Sequence, residues 1–432
     1  MCIRDRFNED LFVFLYDPQP DGRDEAGSDD NAAAGNWAYI GNDRDEWAAG
    51  NVAGQYYAKI TILSDDNLGA EQVAGSVDRT FNPDFQQTSI PPLNSSPGAN
   101  DDVHAIAFQN FAGDPDDPAN VGEQKILVGG DFTAYNTVAK NRIVRVNSDG
   151  SLDQSFNVGT GVDDFVSSIL VRQEGKILLG GGFTSFNGTV RYSVAQLNSD
   201  GSLDTSFDPG QGANAPVRAM AFQLDESLLL AGEFTEYDNE ARMHLVRVDD
   251  KGVIDRTLDI EDEGPNAPIY ALAVQRLGQQ PEDEKILIGG DFTEFGKYRR
   301  GRLARLNLDG TLDTTFETVQ GANGTIHSID VRWWDGKIII AGSFSSINLV
   351  PRNGIARLNS DGSLDSSFDP GSGVDAPIYS VLIDDGMGAI WDPNRRGKIY
   401  IGGLFAEYNG TRRMGVAPVS YTHLTLPTIC SV

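Results

Sequence analysis

The chain has 432 residues, of which 63 are acidic and 34 are Lys or Arg, so its formal net charge is −29. Such acidity argues against nucleic-acid binding, because phosphate groups need a basic surface. No run of about 18 apolar residues occurs, so we expect no membrane span in this sequence. Both cysteines, Cys2 and Cys430, lie near the chain ends, which leaves no disulfide framework and no thiolate metal site.

The first and last residues look foreign to the rest of the chain. Residues 1–6 (MCIRDR) and residues 419–432 (beginning VSYTHLTLPT) resemble translations of a sequencing adapter read in opposite directions. Terminal sequences of this kind are excluded from reasoning about a fold. We therefore expect the native protein to continue at both ends, which makes the absence of a signal peptide uninformative.

Residues 7–66 contain two β-type phrases, Asn8–Leu15 and Ala58–Asp66, separated by an acidic insert. The phrases resemble the closing strands of a Calx-beta domain, a calcium-associated β-sandwich. That resemblance implies calcium ligands at Glu9, Asp10, Asp65 and Asp66. Calcium prefers six to eight oxygen ligands, so acidic strand ends facing water are the alternative interpretation. Residues 67–75 are predicted to be a linker.

From residue 76 to residue 418 the chain is built from repeats. Each repeat contains a step of two small residues, one variable residue and a phenylalanine, and these phenylalanines are Phe132, Phe183, Phe234, Phe292, Phe344 and Phe405. A second aromatic follows 24 residues after each of the first five, except that Leu258 replaces it in the third repeat. The stretch before each step varies in length. A repeat of this size that cannot bury its own apolar face predicts an array, and length variation at one point predicts loops on one face.

Two charged columns accompany the aromatic ones. A basic residue lies eight positions after each phenylalanine, and the column comprises Lys140, Arg191, Arg242, Arg300, Arg352 and Arg413. An aspartate lies three positions before each second aromatic, at Asp153, Asp204, Asp255, Asp313 and Asp365, with Asp78 opening the series. Because both columns recur in every unit, we predict that they stabilise the repeat. Lining a ligand-binding face is the alternative.

Short β-branched runs beside Asp-Gly turns predict three or four strands in each repeat. We therefore predict an all-β chain, with a β-propeller of about six blades after a fragment of a β-sandwich. A β-solenoid or a string of small sandwiches is the alternative. The Asn-x-Asp-Gly phrase has some features of a calcium loop, but it lacks the closing Glu, and a hairpin turn explains it without metal.

The phrase from Lys176 to Phe207 resembles the delta-60 repeat family, whose propeller-like repeats occur in large secreted or surface proteins of bacteria. The resemblance covers residues 76–418 and implies an extracellular or cell-surface location. The third repeat departs most from the pattern, so we expect it to be less regular. The family implies no catalytic residues, so none are assigned.

These observations favour a non-enzymatic, monomeric binding or structural module from an adhesin-like protein, with a protein or glycan as its partner. One alternative is a polysaccharide hydrolase or lyase with a site at the propeller axis. Another is a calcium-stabilised spacer, and calcium is the one cofactor that the sequence suggests. Trp333 and Trp334 fit either sugar stacking or blade packing. The three scattered histidines outside residues 419–432 support no catalytic triad.

Overall fold

The computed structural model describes residues 98–111, 123–148, 150–260, 264–278, 280–318, 320–384, 397–413 and 415–419. Ahead of them it gives only the pairing of four two-residue strands, Leu15–Tyr16 with Gln55–Tyr56 and Tyr39–Ile40 with Trp47–Ala48. These strands belong to a unit of residues 1–76, separate from the unit of residues 77–432. The linker, all four predicted calcium ligands and the adapter-like ends, except for Val419, lie outside the described residues.

The described part of the second unit contains six repeats with the same strand order. In each repeat a first, a second and a third strand form an antiparallel sheet, with the second strand in the middle. The first strands are Val103–Phe111, Val166–Val171, Val217–Phe222, Ile269–Arg276, Ile326–Val331 and Ile378–Ile383. The second strands are Glu123–Gly130, Ile177–Gly181, Leu228–Gly232, Glu284–Gly290, Ile338–Gly342 and Ile399–Gly403. The third strands are Ile143–Val146, Val194–Leu197, Leu245–Val248, Leu303–Leu306, Ile355–Leu358 and Val416–Val419.

A short hairpin of two two-residue strands lies between the second and third strand of every repeat. The six hairpins are Ala134–Tyr135 with Val138–Ala139, Ser185–Phe186 with Thr189–Val190, Glu236–Tyr237 with Glu240–Ala241, Glu294–Phe295 with Tyr298–Arg299, Ser346–Ile347 with Val350–Pro351, and Glu407–Tyr408 with Thr411–Arg412. The third repeat has the same strands as the second. The irregularity expected in the third repeat is not seen in its strands, and Leu258 is still buried between sheets.

The apolar core lies between consecutive repeats. Each first strand packs beside the first strand of the next repeat, and five clusters of buried side chains each join two neighbouring sheets. All six phenylalanines of the sequence pattern are buried. Burying such a ring is worth roughly 1.5–3 kcal/mol, so each sheet depends on its neighbour for stability.

The turn between the first and second strands carries the length variation. This turn is short in the second, third and fifth repeats, whereas the fourth repeat adds a single turn of 3-10 helix at Pro281–Asp283. We call the end of the sheets that carries this turn the turn end. The opposite end, where each first strand begins and each second strand finishes, is called the bulge end, because every first strand contains one extra residue there.

The bulge explains the second glycine of each step. A methyl group on Gly232 would overlap the carbonyl oxygen of Pro216, and the same overlap recurs in the other five repeats. That carbonyl also accepts a hydrogen bond from the variable residue of the step, for example from the Glu233 N–H at 2.9 Å. Glycine is thus required because the two backbones meet closely at this end.

Candidate functional site

The aspartate column lies at the turn end and is buried in four of its five described members, Asp153, Asp204, Asp313 and Asp365. In the first repeat, Asp153 accepts hydrogen bonds from Arg145 Nε at 2.7 Å and from the backbone and hydroxyl of Ser155. Burial by itself would raise the pKa of Asp153, but these hydrogen bonds and one from Lys125 outweigh it and hold the pKa below its ordinary value. The carboxylate is therefore ionised and fixed.

The arginine that meets each aspartate lies on the third strand, eight residues earlier. The equivalent ion pairs are Arg247 with Asp255, Arg305 with Asp313 and Arg357 with Asp365. Arg145 also donates to Gln109 at 2.7 Å, and Gln109 donates to the Gly175 carbonyl of the next repeat. The Arg145 guanidinium carbon lies 4.6 Å from the Phe156 ring centre. The network therefore joins one sheet to the next.

The second repeat contains the same network with two residue types exchanged. Gln196 stands where the first, third, fourth and fifth repeats have the third-strand arginine, and it donates to Asp204 at 2.8 Å. Arg172 stands where the first, third and fourth repeats have a glutamine, and its Nε donates to Gln196 at 2.9 Å. The exchange preserves the donors and acceptors, which is the behaviour of a structural network.

The basic column predicted from sequence lies elsewhere. Arg191, Arg242, Arg300, Arg352 and Arg413 each donate from Nη1 to the carbonyl of the preceding residue, beside the short hairpin. The arginines of the basic column therefore bond to backbone carbonyls of the hairpins, whereas the carboxylates of the first, third, fourth and fifth repeats bond to the third-strand arginines.

Sequence reasoning missed a further column that fixes the short hairpins. Asn214 Oδ1 accepts the N–H groups of Thr235 and Glu236 at 2.9 and 3.1 Å, and Asp163 binds Thr184 and Ser185 in the same way. The full column is Asn100, Asp163, Asn214, Asn266, Asn323 and Asp375. Its signal was present, because an Asn or Asp follows the second aromatic by seven residues, or by eight after Leu258.

The bulge residues differ in chemistry from repeat to repeat. In chain order they are His104, Ser167, Arg218, Tyr270, His327 and Tyr379. All are half-buried or exposed, and Tyr379 is 50% exposed. Bulges often aim a side chain toward a site. Because consecutive first strands are adjacent, these six positions form one row, which we call the rim.

Most rim residues contact the variable residue of a Gly-Gly-x-Phe step. His104 Nε2 lies 2.8 Å from Asp131 Oδ2, Arg218 Nε donates to Glu233 at 2.7 Å, and His327 Nε2 lies 2.8 Å from Ser343 Oγ. In the second repeat the small Ser167 donates to the Val217 carbonyl, and Phe165 fills the space above Gly182. The rim and the neighbouring step residues therefore combine basic, acidic and aromatic groups.

The rim side chains also touch across repeat boundaries. The His104 and Phe165 ring centres are 6.2 Å apart, and the Arg218 guanidinium carbon lies 4.7 Å from the Phe165 ring centre. On the other side, the His327 ring centre lies 6.2 Å from that of Tyr270 and 5.0 Å from that of Tyr379. Burial lowers the pKa of His327 below its ordinary value, so its imidazole is neutral at pH 7. The resulting surface has aromatic rings beside hydrogen-bonding groups.

A cavity at the turn end and a pair of tryptophans are weaker candidates for a binding site than the rim. A cavity of about 330 Å³ between the third and fourth repeats is lined by Arg247, Asp255, Thr257 and Glu284, whose polar groups already bond to one another or to neighbours. Trp334 packs against the core between the fifth and sixth repeats, whereas Trp333 is exposed at the turn end.

No group of three or more His, Cys, Asp or Glu residues in the described part of the chain is arranged to hold a metal ion. Across those same residues, no helix is long and apolar enough to cross a membrane.

The six sheets and their rim define a repeat protein of β-propeller type.

Comparison with known proteins agrees with this class. Residues 125–156, 174–207, 282–316 and 335–368 match a family model described as a domain of unknown function (DUF5122) beta-propeller. The match supports a propeller-like repeat family, and the four segments carry the paired aromatic pattern. No curated protein matches the chain.

Among solved structures, the chain is similar to the WD40 beta-propeller domain of Doa1, with 15% identity and a TM-score of 0.41 over 71% of this chain and 90% of that one. It is also similar to XC5397 from Xanthomonas campestris, a gluconolactonase, with 11% identity and a TM-score of 0.34 over 71% of this chain and 94% of that one.

Proposed function

We propose that this protein is a non-enzymatic binding module of a secreted or cell-surface protein and that the rim is its binding surface. The observation that carries the proposal is the contrast between columns. Every column that recurs unchanged stabilises the sheets, whereas the rim carries six positions of differing chemistry in one contiguous row. A fold needs the same contact in each unit, but recognition of a ligand needs asymmetry.

A glycan of an extracellular surface is the partner that fits the rim best. Tyr270, His327 and Tyr379 present rings suited to stacking on a sugar face, and Glu233 and Arg218 offer hydrogen bonds to hydroxyl groups. The delta-60 repeat and Calx-beta resemblances support an adhesin-like context. Catalysis is not part of this proposal.

A panel of bacterial, plant and algal polysaccharides tests the proposal. We expect the purified chain to bind at least one of them, and Tyr379→Ala to weaken that binding about tenfold or more. Stacking on an aromatic side chain is worth about 1–3 kcal/mol for a nucleic-acid base, and we expect a similar contribution for a sugar face. Tyr298→Ala is the matched control, since Tyr298 is an exposed tyrosine on a short hairpin and is not one of the rim residues. Equal weakening by both variants contradicts a rim site.

The second candidate is a polysaccharide hydrolase or lyase. It is favoured by three carboxylates at the variable position of the steps beside the rim, Asp131, Glu233 and Asp291. Each already has a partner, in His104, Arg218 and Thr325 respectively. Release of reducing ends or of unsaturated sugars from a bound polysaccharide, lost in Glu233→Gln, would establish this activity in place of the binding role.

The calcium-stabilised spacer is tested separately. Its predicted ligands are Glu9, Asp10, Asp65 and Asp66. A calcium-dependent rise in melting temperature that Asp65→Asn abolishes supports this function, and an unchanged melting temperature contradicts it.

A further inference from the structure

Consecutive repeats bury the same pair of faces five times. One face belongs to the second and third strands of a repeat, and the other belongs to the first strand of the following repeat. At the first such contact, Gly129 of the second strand lies against Val166 and Ile169, and Ile143 and Val166 are fully buried. A small residue on one sheet and a branched apolar residue on the other thus form a recurring interface.

The first repeat leaves its first-strand face uncovered. Ile106 is 63% exposed, whereas its equivalents Ile169, Met220, Ile329 and Val381 are at most 9% exposed. Phe108 and Val103 on the same strand are also exposed, although the equivalents of Val103 in all five later repeats are fully buried. The strand has the sequence of an interface, and the described residues contain no sheet that packs on it from the preceding side.

The sixth repeat leaves the opposite face uncovered. Val416 is 54% exposed, whereas its equivalents Ile143, Val194, Leu245, Leu303 and Ile355 are fully buried. Gly402 has open space where Gly129, Gly180 and Gly289 contact the next repeat, and Leu382 is exposed. The array therefore ends in the two complementary halves of its own interface.

We propose that these two faces bind a further repeat sheet of the same kind, which would join the end of the array to its beginning. The internal interfaces define the chemistry of this partner. Its second strand presents a Gly or Ala to Ile106 and Phe108, as Gly129 does to Ile169. Its first strand presents branched apolar side chains to Gly402 and Val416. Exposed apolar patches of this extent are typical of interaction surfaces.

Matched charge substitutions test whether the faces are free in this chain. Ile106→Asp and Val416→Asp should leave the urea midpoint nearly unchanged, because both side chains are exposed to water. Ile169→Asp and Val194→Asp, at the equivalent internal positions, should lower the midpoint strongly or prevent folding. Strong loss of stability in Ile106→Asp would show that this face is already covered, which would overturn the proposal.

Supplying such a sheet tests the partner itself. A variant with a copy of residues 147–197 inserted after Val419 gains a closing phrase for the sixth repeat and a seventh sheet. We expect it to be a monomer with a melting temperature several degrees higher and with weaker binding of a hydrophobic dye. The control insert carries Ile169→Asp within the copy and should give neither gain. Equal behaviour of the two inserts overturns the proposal.

The oligomeric state of the parent chain completes the test. Light scattering should report a monomer over a wide concentration range. A concentration-dependent oligomer that Ile106→Asp dissociates would show that a second copy, and not a further repeat sheet, occupies the faces. This outcome leaves the rim proposal intact, because the rim variants are scored by ligand binding.

Discussion

The turn end and the bulge end of the same sheets follow different rules. At the turn end, the aspartate and its third-strand partner recur in every repeat from the first to the fifth, and even the exchange of Arg172 and Gln196 preserves the bonding. At the bulge end the backbone recurs but the side chains do not. The comparison teaches that a repeat protein can separate stability from recognition along the length of one strand.

The largest expected effect is at the turn end. Asp313→Ala leaves the buried Arg305 guanidinium without its carboxylate, which should lower the free energy of unfolding by about 3–5 kcal/mol. Urea denaturation measures it. Asp255→Ala is the matched comparison and should cost less, because Asp255 is more exposed to solvent. A neutral Asp313→Ala would remove the structural role that we assign to this end.

At the bulge end, we expect substitutions that disturb the backbone to lower stability more than substitutions of exposed side chains. In Gly232→Ala the new methyl group overlaps the Pro216 carbonyl, so we expect a loss of about 1–3 kcal/mol. Gly402→Ala should be close to neutral, because open space surrounds that position. Thermal unfolding of the two variants compares them directly, and equal melting temperatures would contradict the close approach at the bulge.

The acid response should distinguish two residues at equivalent positions. Burial raises the pKa of Asp163, but hydrogen bonds from Thr184 and Ser185 outweigh it and hold the pKa at about 2. Because this pKa is depressed in the folded state, Asp163 stabilises the fold above about pH 4, and that contribution is lost as the pH falls toward 2.

Asp163→Asn introduces the residue type that stands at the equivalent position of the next repeat, Asn214. The variant should fold at pH 7 and lose less stability between pH 4 and pH 2 than the parent chain. Urea midpoints across this range provide the measurement. An unchanged pH dependence would mean that Asp163 makes no net contribution as an anion.

The smallest effect on stability is expected at the rim. Arg218→Ala removes a half-exposed ion pair and a contact with Phe165, so the free energy of unfolding should change by no more than about 0.5–1 kcal/mol. Ligand binding should nevertheless fall. A stability loss comparable to that of Asp313→Ala would erase the distinction between the two ends.

Local sequence determined the repeat, its strands and its turns, because alternating apolar residues, Asp-Gly turns and the Gly-Gly-x-Phe step act over a few residues. It also identified the buried phenylalanines and the aspartate column. It did not identify the partner of each aspartate. Two basic positions before each aspartate could form the ion pair, and only strand register decides between them, as between Arg145 and Lys140 for Asp153. The column from Asn100 to Asp375 was legible, but its role depends on which N–H groups lie nearby.

The rim and the two uncovered faces were decided by tertiary structure alone. A bulge moves one residue out of the strand alternation, so no periodicity marks Arg218 or Tyr270 as members of one row. Ile106 and Ile169 have the same sequence environment, yet one is exposed and the other buried, because burial between sheets depends on a neighbouring repeat and not on the residue itself. Sequence thus specifies what each repeat is, and packing specifies which of its faces remain free to bind.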